Sequence, residues 1–243
     1  MIKQFFEAIT AVLQAFPLLF SRRLRLFVFA PIVANTVLMG LIVFVAFGYI
    51  DSTADYLMGF LPDWFSFLHW LFYLIFAAIM LLLMFYSFSI GVNIIAAPFM
   101  ALLAEKTEEI TTGKLFDEAM TLRGFIKIIG RSIKREIQKL IYFLPRFLGL
   151  LLLSFVPVVN LVSSLLLLLF SAWMLALQYM DYAFDNNQLS FRSMRQMLKR
   201  KLLLCWSFGF IVMIGMTIPL LNLIIMPLAV VASTLLWNRV FNT

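Results

Sequence analysis

From Phe27 to Ile50 the chain runs for 24 residues without an Asp, Glu, Lys or Arg, and from Trp64 to Leu103 only His69 can carry charge near neutrality. About 20 apolar residues in a helix cross the hydrocarbon core of a bilayer, because the helix satisfies its own backbone polar groups. The first run is long enough for one tilted span. The second exceeds one crossing and must project beyond the membrane near Ala96-Ala97-Pro98. Composition agrees. The chain is 64% hydrophobic and 13% charged, where soluble domains are about half apolar and about a quarter charged. Its 27 Phe suit lipid contact and membrane interfaces. The sequence therefore predicts an all-α integral membrane protein with long transmembrane helices over 26–50 and 67–104.

Two later apolar runs are interrupted in the same manner. Pro157-Val158-Val159-Asn160-Leu161 and Pro219-Leu220-Leu221-Asn222-Leu223 share the pattern Pro-x-x-Asn-Leu. Proline ends a helix and Asn favours the cap of the next, so each stretch reads as a hairpin tip, with Asn160 and Asn222 as caps. The hairpins occupy 147–180 and 202–237. Irregular backbone at membrane depth is tolerated only where protein or water satisfies it, and paired interrupted segments often border a transport route. Asn160 and Asn222 are thus also candidate pore-lining residues. Neither tip carries charge, so hairpins that cross fully and hairpins that turn back halfway fit equally.

Residues 2–20 set Ile2, Phe5, Phe6, Ile9, Val12, Leu13 and Phe16 at spacings of three and four, one apolar stripe on a helix. Such a helix lies in the membrane interface or packs on the protein itself. Arg22, Arg23 and Arg25 follow, with Ser21 as expected N-cap of the first long helix. Between the spans, Asp51, Asp55 and Asp63 mark a short acidic loop. His69, beside Trp64 and Trp70, reads as interfacial. Residues 105–146 form a charged region with a turn at Thr111-Thr112-Gly113 and an amphipathic helix. If the first span runs outward, all 19 Lys and Arg are cytoplasmic, as positive-inside bias demands, and the termini are cytoplasmic too.

One cysteine and one histidine exclude an internal disulfide and a His/Cys metal site. No Gly-rich phosphate loop or Ser-His-Asp arrangement is present, so neither catalysis nor a cofactor is expected. The basic residues punctuate apolar segments and form no soluble basic module, which disfavours nucleic acid. Residues 1–20 carry Lys3 and Glu7 and lack the long core of a cleavable signal. A net charge of +7 suits anionic lipid headgroups or an anionic solute. Arg22, Arg23 and Arg25 at a helix start combine guanidinium forks with backbone N–H groups and a positive dipole end, which suits a tetrahedral dianion. The same cluster can also merely set orientation. Arg131, Arg135, Glu136 and Arg146 lie on one arm of the first hairpin, and Asp181 and Asp185 on the other. Pairing across the hairpin base follows, as a structural clasp or an anion entrance. A non-transporting scaffold that docks lipid or a partner is the alternative reading.

Several stretches resemble the CysZ sulfate permeases of bacteria. They are Ala96-Ala97-Pro98-Phe99 with Leu102-Leu103-Ala104-Glu105, and Arg135-Glu136-Ile137-Gln138-Lys139 leading to Tyr142-Phe143-Leu144-Pro145-Arg146. The segment Phe170 to Tyr179 continues through Asp181-Tyr182 and Phe184-Asp185-Asn186, and Ile218 to Leu223 precedes Met226-Pro227. The resemblance implies two long transmembrane helices, two hairpins that only partly penetrate the bilayer, and an N-terminal amphipathic helix. It implies sulfate uptake across the bacterial inner membrane for cysteine synthesis, and a homo-oligomer. It places sulfate at a Gly-Leu-Arg-Arg-like motif, aligned here with Arg23-Leu24-Arg25-Leu26. Leu24 and Arg25 match, whereas Arg23 replaces the glycine and Leu26 the second arginine.

Overall fold

Long apolar stretches without strand-like alternation become helix throughout: among the described residues all regular structure is helical. The computed structural model describes residues 2–59, 69–114, 122–157 and 159–242. Asp63, the expected helix start at 67, Val158, and the side chains of Asp51, Asp55, His69 and Asn222 lie outside the described residues. The helices are α1 (Ile2–Leu19), α2 (Arg25–Met58), α3 (His69–Thr112), α4 (Leu122–Ser154), α5 (Asn160–Asn186), α6 (Phe191–Lys199), α7 (Leu202–Thr217) and α8 (Pro219–Leu236). A π-helical turn, Trp237–Phe241, closes the chain.

Several boundaries differ from the expected ones. Helix α2 continues to Met58, so Asp51 and Asp55 stand in helix and not in a loop. Helix α3 continues to Thr112, through Glu105 and Glu108, and stops where Gly113 takes a φ of +74° that a side chain would resist. The charged stretch and the first hairpin arm form one unbroken helix, α4, of 33 residues. Pro145 lies inside it without ending it, and the Arg146 guanidinium donates to the Tyr142 carbonyl at 2.7 Å in the turn that proline weakens. The polar stretch after Asn186 holds the short helix α6. Its N-cap is Ser190, whose hydroxyl oxygen accepts from Ser193 N.

The described chain falls into two compact units, 1–28 with 97–243, and 29–96. The second unit is made of the body of α2 and the first part of α3. In the first unit α5 is central, packing on α4, α7 and α8. Its Trp173, Ala176, Leu177, Met180, Ala183 and Phe184 are buried. Phe184 meets Trp237 edge-on with ring centres 4.6 Å apart. Helices α5 and α7 approach so closely at Ala172 and Gly209 that only glycine fits.

Helix α1 has two distinct faces. It packs on α7 and α8 through Ala8, Ala11, Ala15 and Leu19, which have no exposed surface. Its aromatic stripe faces away, with Phe5 48%, Phe6 58% and Phe16 48% exposed. The helix uses a small-residue face for protein contact and presents the large apolar side chains outward.

Candidate functional site

Helices α4 and α5 run antiparallel, as their partners show. Moving up α4 from Arg131 through Glu136 to Phe143, contacts move down α5 from Asp185 through Gln178 to Phe170. This register brings the charged turns of α4 onto the last two turns of α5. Arg135 Nε donates to Asp185 Oδ1 at 2.7 Å, and Arg131 Nε lies 3.0 Å from Asp185 Oδ2. Asp181 faces Arg135 Nη1 at 3.4 Å and Lys139 Nζ at 3.5 Å. Lys139 also donates to Glu136 at 2.6 Å. Glu136 accepts from Gln178 at 3.2 Å and, at 3.5 Å, from the Tyr182 hydroxyl. A further Arg135 N–H donates to the Leu189 carbonyl.

Arg135, Lys139, Asp181 and Asp185 are buried, so each charge needs its partner. Three cations, Arg131, Arg135 and Lys139, face three carboxylates, Glu136, Asp181 and Asp185. These contacts join the two arms at the hairpin base. The expected Arg–Asp contact across the hairpin base is thus present, and Lys139, Gln178 and Tyr182 complete it. The i, i+4, i+8 spacing of Arg131, Arg135 and Lys139 was the available signal for the lysine. Gln178 and Tyr182 gave none, because their role depends on the α4–α5 register. Arg146 stands apart from this cluster, against Tyr142.

A second polar seam ties α5 to α3. Asn186 donates to the Ala101 carbonyl at 2.9 Å and Asn187 to Glu108 at 2.8 Å. Glu108 is fully buried although it stands in the charged stretch that begins at Glu105, and Asn187 and Lys114 hold it.

The arginine turn lies before α2. Leu24 is fully buried, whereas Arg22, Arg23 and Arg25 are exposed. The backbone N–H groups of Leu24 and Arg25 both donate to the Ser21 carbonyl at 3.1 Å. Those two amides are therefore spent, and the turn offers guanidinium charge in their place. Ser21 does not cap α2 with its side chain: it stands four residues ahead of the helix start, and its hydroxyl has no hydrogen-bond partner. The hairpin tips also depart from expectation. Val159 holds the N-cap position of α5 with no side-chain cap, and Asn160 is the first helical residue, its side chain accepting from Ser164 at 3.2 Å. Ile218 precedes α8 and Pro219 opens it, which leaves Asn222 inside the first turn. Proline suits that opening position because its missing N–H would be unpaired there anyway.

Helices this apolar define an integral membrane protein. Among the described residues three of them, Ile128–Ser154, Asn160–Asn186 and Ile224–Phe241, have the length and composition to cross a bilayer. The family model described as sulfate transporter CysZ/etoposide-induced protein 2.4 matches residues 11–227, and the chain belongs to this family. It is 42% identical to the sulfate transporter CysZ of Pseudomonas fluorescens, over 91% of this chain and 89% of that one. It is 41% identical to that of Pseudomonas syringae pv. tomato, over 91% and 88%. It is 40% identical to that of Vibrio parahaemolyticus, over 91% and 90%.

Proposed function

We propose that this protein carries sulfate across the bacterial inner membrane as a channel-like permease and so supplies cysteine synthesis. Identity of about two in five residues over nine-tenths of chains named sulfate transporter carries the reading. It involves no bond-making step. The sulfate contact is the turn at Arg22, Arg23, Leu24 and Arg25, where three exposed arginines stand within four residues at a helix start with no carboxylate bonded to them among the described residues. Arg131, Arg135 and Glu136 serve the clasp, and Asn160 and Asn222 stand at the tips bordering the route.

In the membrane, α2 and α3 are the two complete spans, at 34 and 44 residues against the roughly 20 a bilayer needs. The pairs α4–α5 and α7–α8 are hairpins that penetrate partway, α1 lies in the interface, and both termini are cytoplasmic. Only 6% of the α4 apolar window is buried, so lipid or a second copy covers it, consistent with a homo-oligomer.

Uptake of radiolabelled sulfate into proteoliposomes tests the function. Flux no greater than in protein-free vesicles overturns it. Single cysteines at Phe155 and Ile218 in a Cys205→Ser background test hairpin depth. Partial penetration leaves both unlabelled by an impermeant maleimide added outside, and outside labelling means a full crossing.

A further inference from the structure

Helix α4 and helix α6 bring three arginines to one cavity of about 440 Å3 beside the start of α6: Arg146, Arg192 and Arg195. Tyr142 and Phe191 form part of its wall. The Arg146 guanidinium lies 3.9 Å from the centre of the Tyr142 ring, and that of Arg195 lies 4.6 Å from the same ring and 5.1 Å from Phe191. Tyr142 is itself fixed, since Trp173 Nε1 donates to its hydroxyl at 3.3 Å. One aromatic ring thus holds two cations in place. Cation–π attraction offsets part of their mutual repulsion but removes no charge. Among the described residues no carboxylate lines the cavity or pairs with these arginines. The Nε of Arg195 is shielded from solvent and has no hydrogen-bond partner. This is the opposite of the neighbouring clasp, where every cation meets a carboxylate. The positive end of α6 adds to the surplus.

We infer that Arg146, Arg192 and Arg195 form an oxyanion-binding site separate from the Arg22–Arg25 turn, built for a tetrahedral phosphate- or sulfate-type group. Guanidinium forks match such a group in geometry as well as charge. The group has two sources. Ile141, Leu144 and Leu148 expose 66%, 46% and 46% of their surface along α4 beside the cavity, a track for the chains of an anionic phospholipid. A free sulfate ion is the other.

Two measurements on the full-length protein in detergent test the site and separate the sources. One is native mass spectrometry of retained phosphatidylglycerol. The other is saturable binding of radiolabelled sulfate in an Arg22→Ala, Arg23→Ala and Arg25→Ala background, which removes the charges of the turn and keeps the result independent of the uptake reading. The combined Arg146→Gln and Arg195→Gln variant is expected to lower one of the two signals by about tenfold or more, the loss of charge-assisted bonds. Arg192→Glu, at an exposed position, should do the same with an unchanged melting curve, which covers the case in which the double variant does not fold. Arg195→Lys should restore part of the signal. A response in the lipid measurement assigns the headgroup, and a response in the sulfate measurement assigns the free ion. If Arg192→Glu folds and leaves both signals at the wild-type level, the site does not exist.

Discussion

Arg135 Nε and Asp185 Oδ1 lie 2.7 Å apart, fifty residues distant in sequence, and both side chains are withdrawn from solvent. Removing one partner strands a buried charge. Asp185→Ala is expected to destabilise the protein by about 3–5 kcal/mol, and the paired replacement Arg135→Met with Asp185→Leu by much less. Thermal unfolding in detergent distinguishes the two. Equal losses mean that the contact matters for its shape and not its charge.

A Cβ on Gly209 would sit 1.8 Å from the Ala172 carbonyl oxygen, whereas one on Gly149 would meet nothing within 4 Å. The first obstacle is backbone and cannot rotate aside. Gly209→Ala should therefore cost about 1–3 kcal/mol or more as α5 and α7 are pushed apart. Gly149→Ala, in a helix interior, should be neutral or stabilise by up to ~1 kcal/mol. The ordering of the two melting temperatures is the check, and a reversal refutes the close crossing.

At the arginine turn, Arg25→Ala should weaken sulfate binding and flux about tenfold, as loss of a charge-assisted contact does. Lys199→Ala removes an equal charge from an exposed site at the end of α6 and should change little. Indistinguishable effects on equilibrium sulfate binding reduce the turn to general electrostatics.

Helix α1 predicts opposite outcomes on its two faces. Ala11→Leu places bulk where no space remains against α7 and α8 and should cost about 1–3 kcal/mol. Phe6→Ser, on the outward face, should change thermal stability by no more than ~0.5 kcal/mol. A large loss from Phe6→Ser would show that this stripe, too, packs on protein.

Helical class and membrane residence were legible in the sequence because both depend on local quantities: run length, apolar content and the placement of charge. That arginines of one hairpin arm would meet Asp181 or Asp185 on the other was legible as well, since a hairpin returns one arm to the base of the other, but which arginines do so was not: Arg131 and Arg135 pair, whereas Arg146 stands against Tyr142. Helix boundaries were less so. Proline was read as a stop at Pro157 and Pro219, and there the helices do break, yet Pro145 sits inside α4 and Pro98 inside α3. A proline inside a helix removes one backbone hydrogen bond and kinks the helix without always ending it.

By itself, then, the sequence determined that this chain is helical, lives in a membrane and carries an arginine cluster at the start of its first long helix. Tertiary structure alone decided which charges are spent and which are left over. Arg135 and Lys139 are neutralised in the clasp, the amides of Leu24 and Arg25 are consumed by Ser21, and Arg146 and Arg195 share a single tyrosine. The physical reason is range. Hydrophobic periodicity acts within a few turns of one helix, but whether a cation meets a carboxylate depends on the register between helices tens of residues apart, and only packing sets that register.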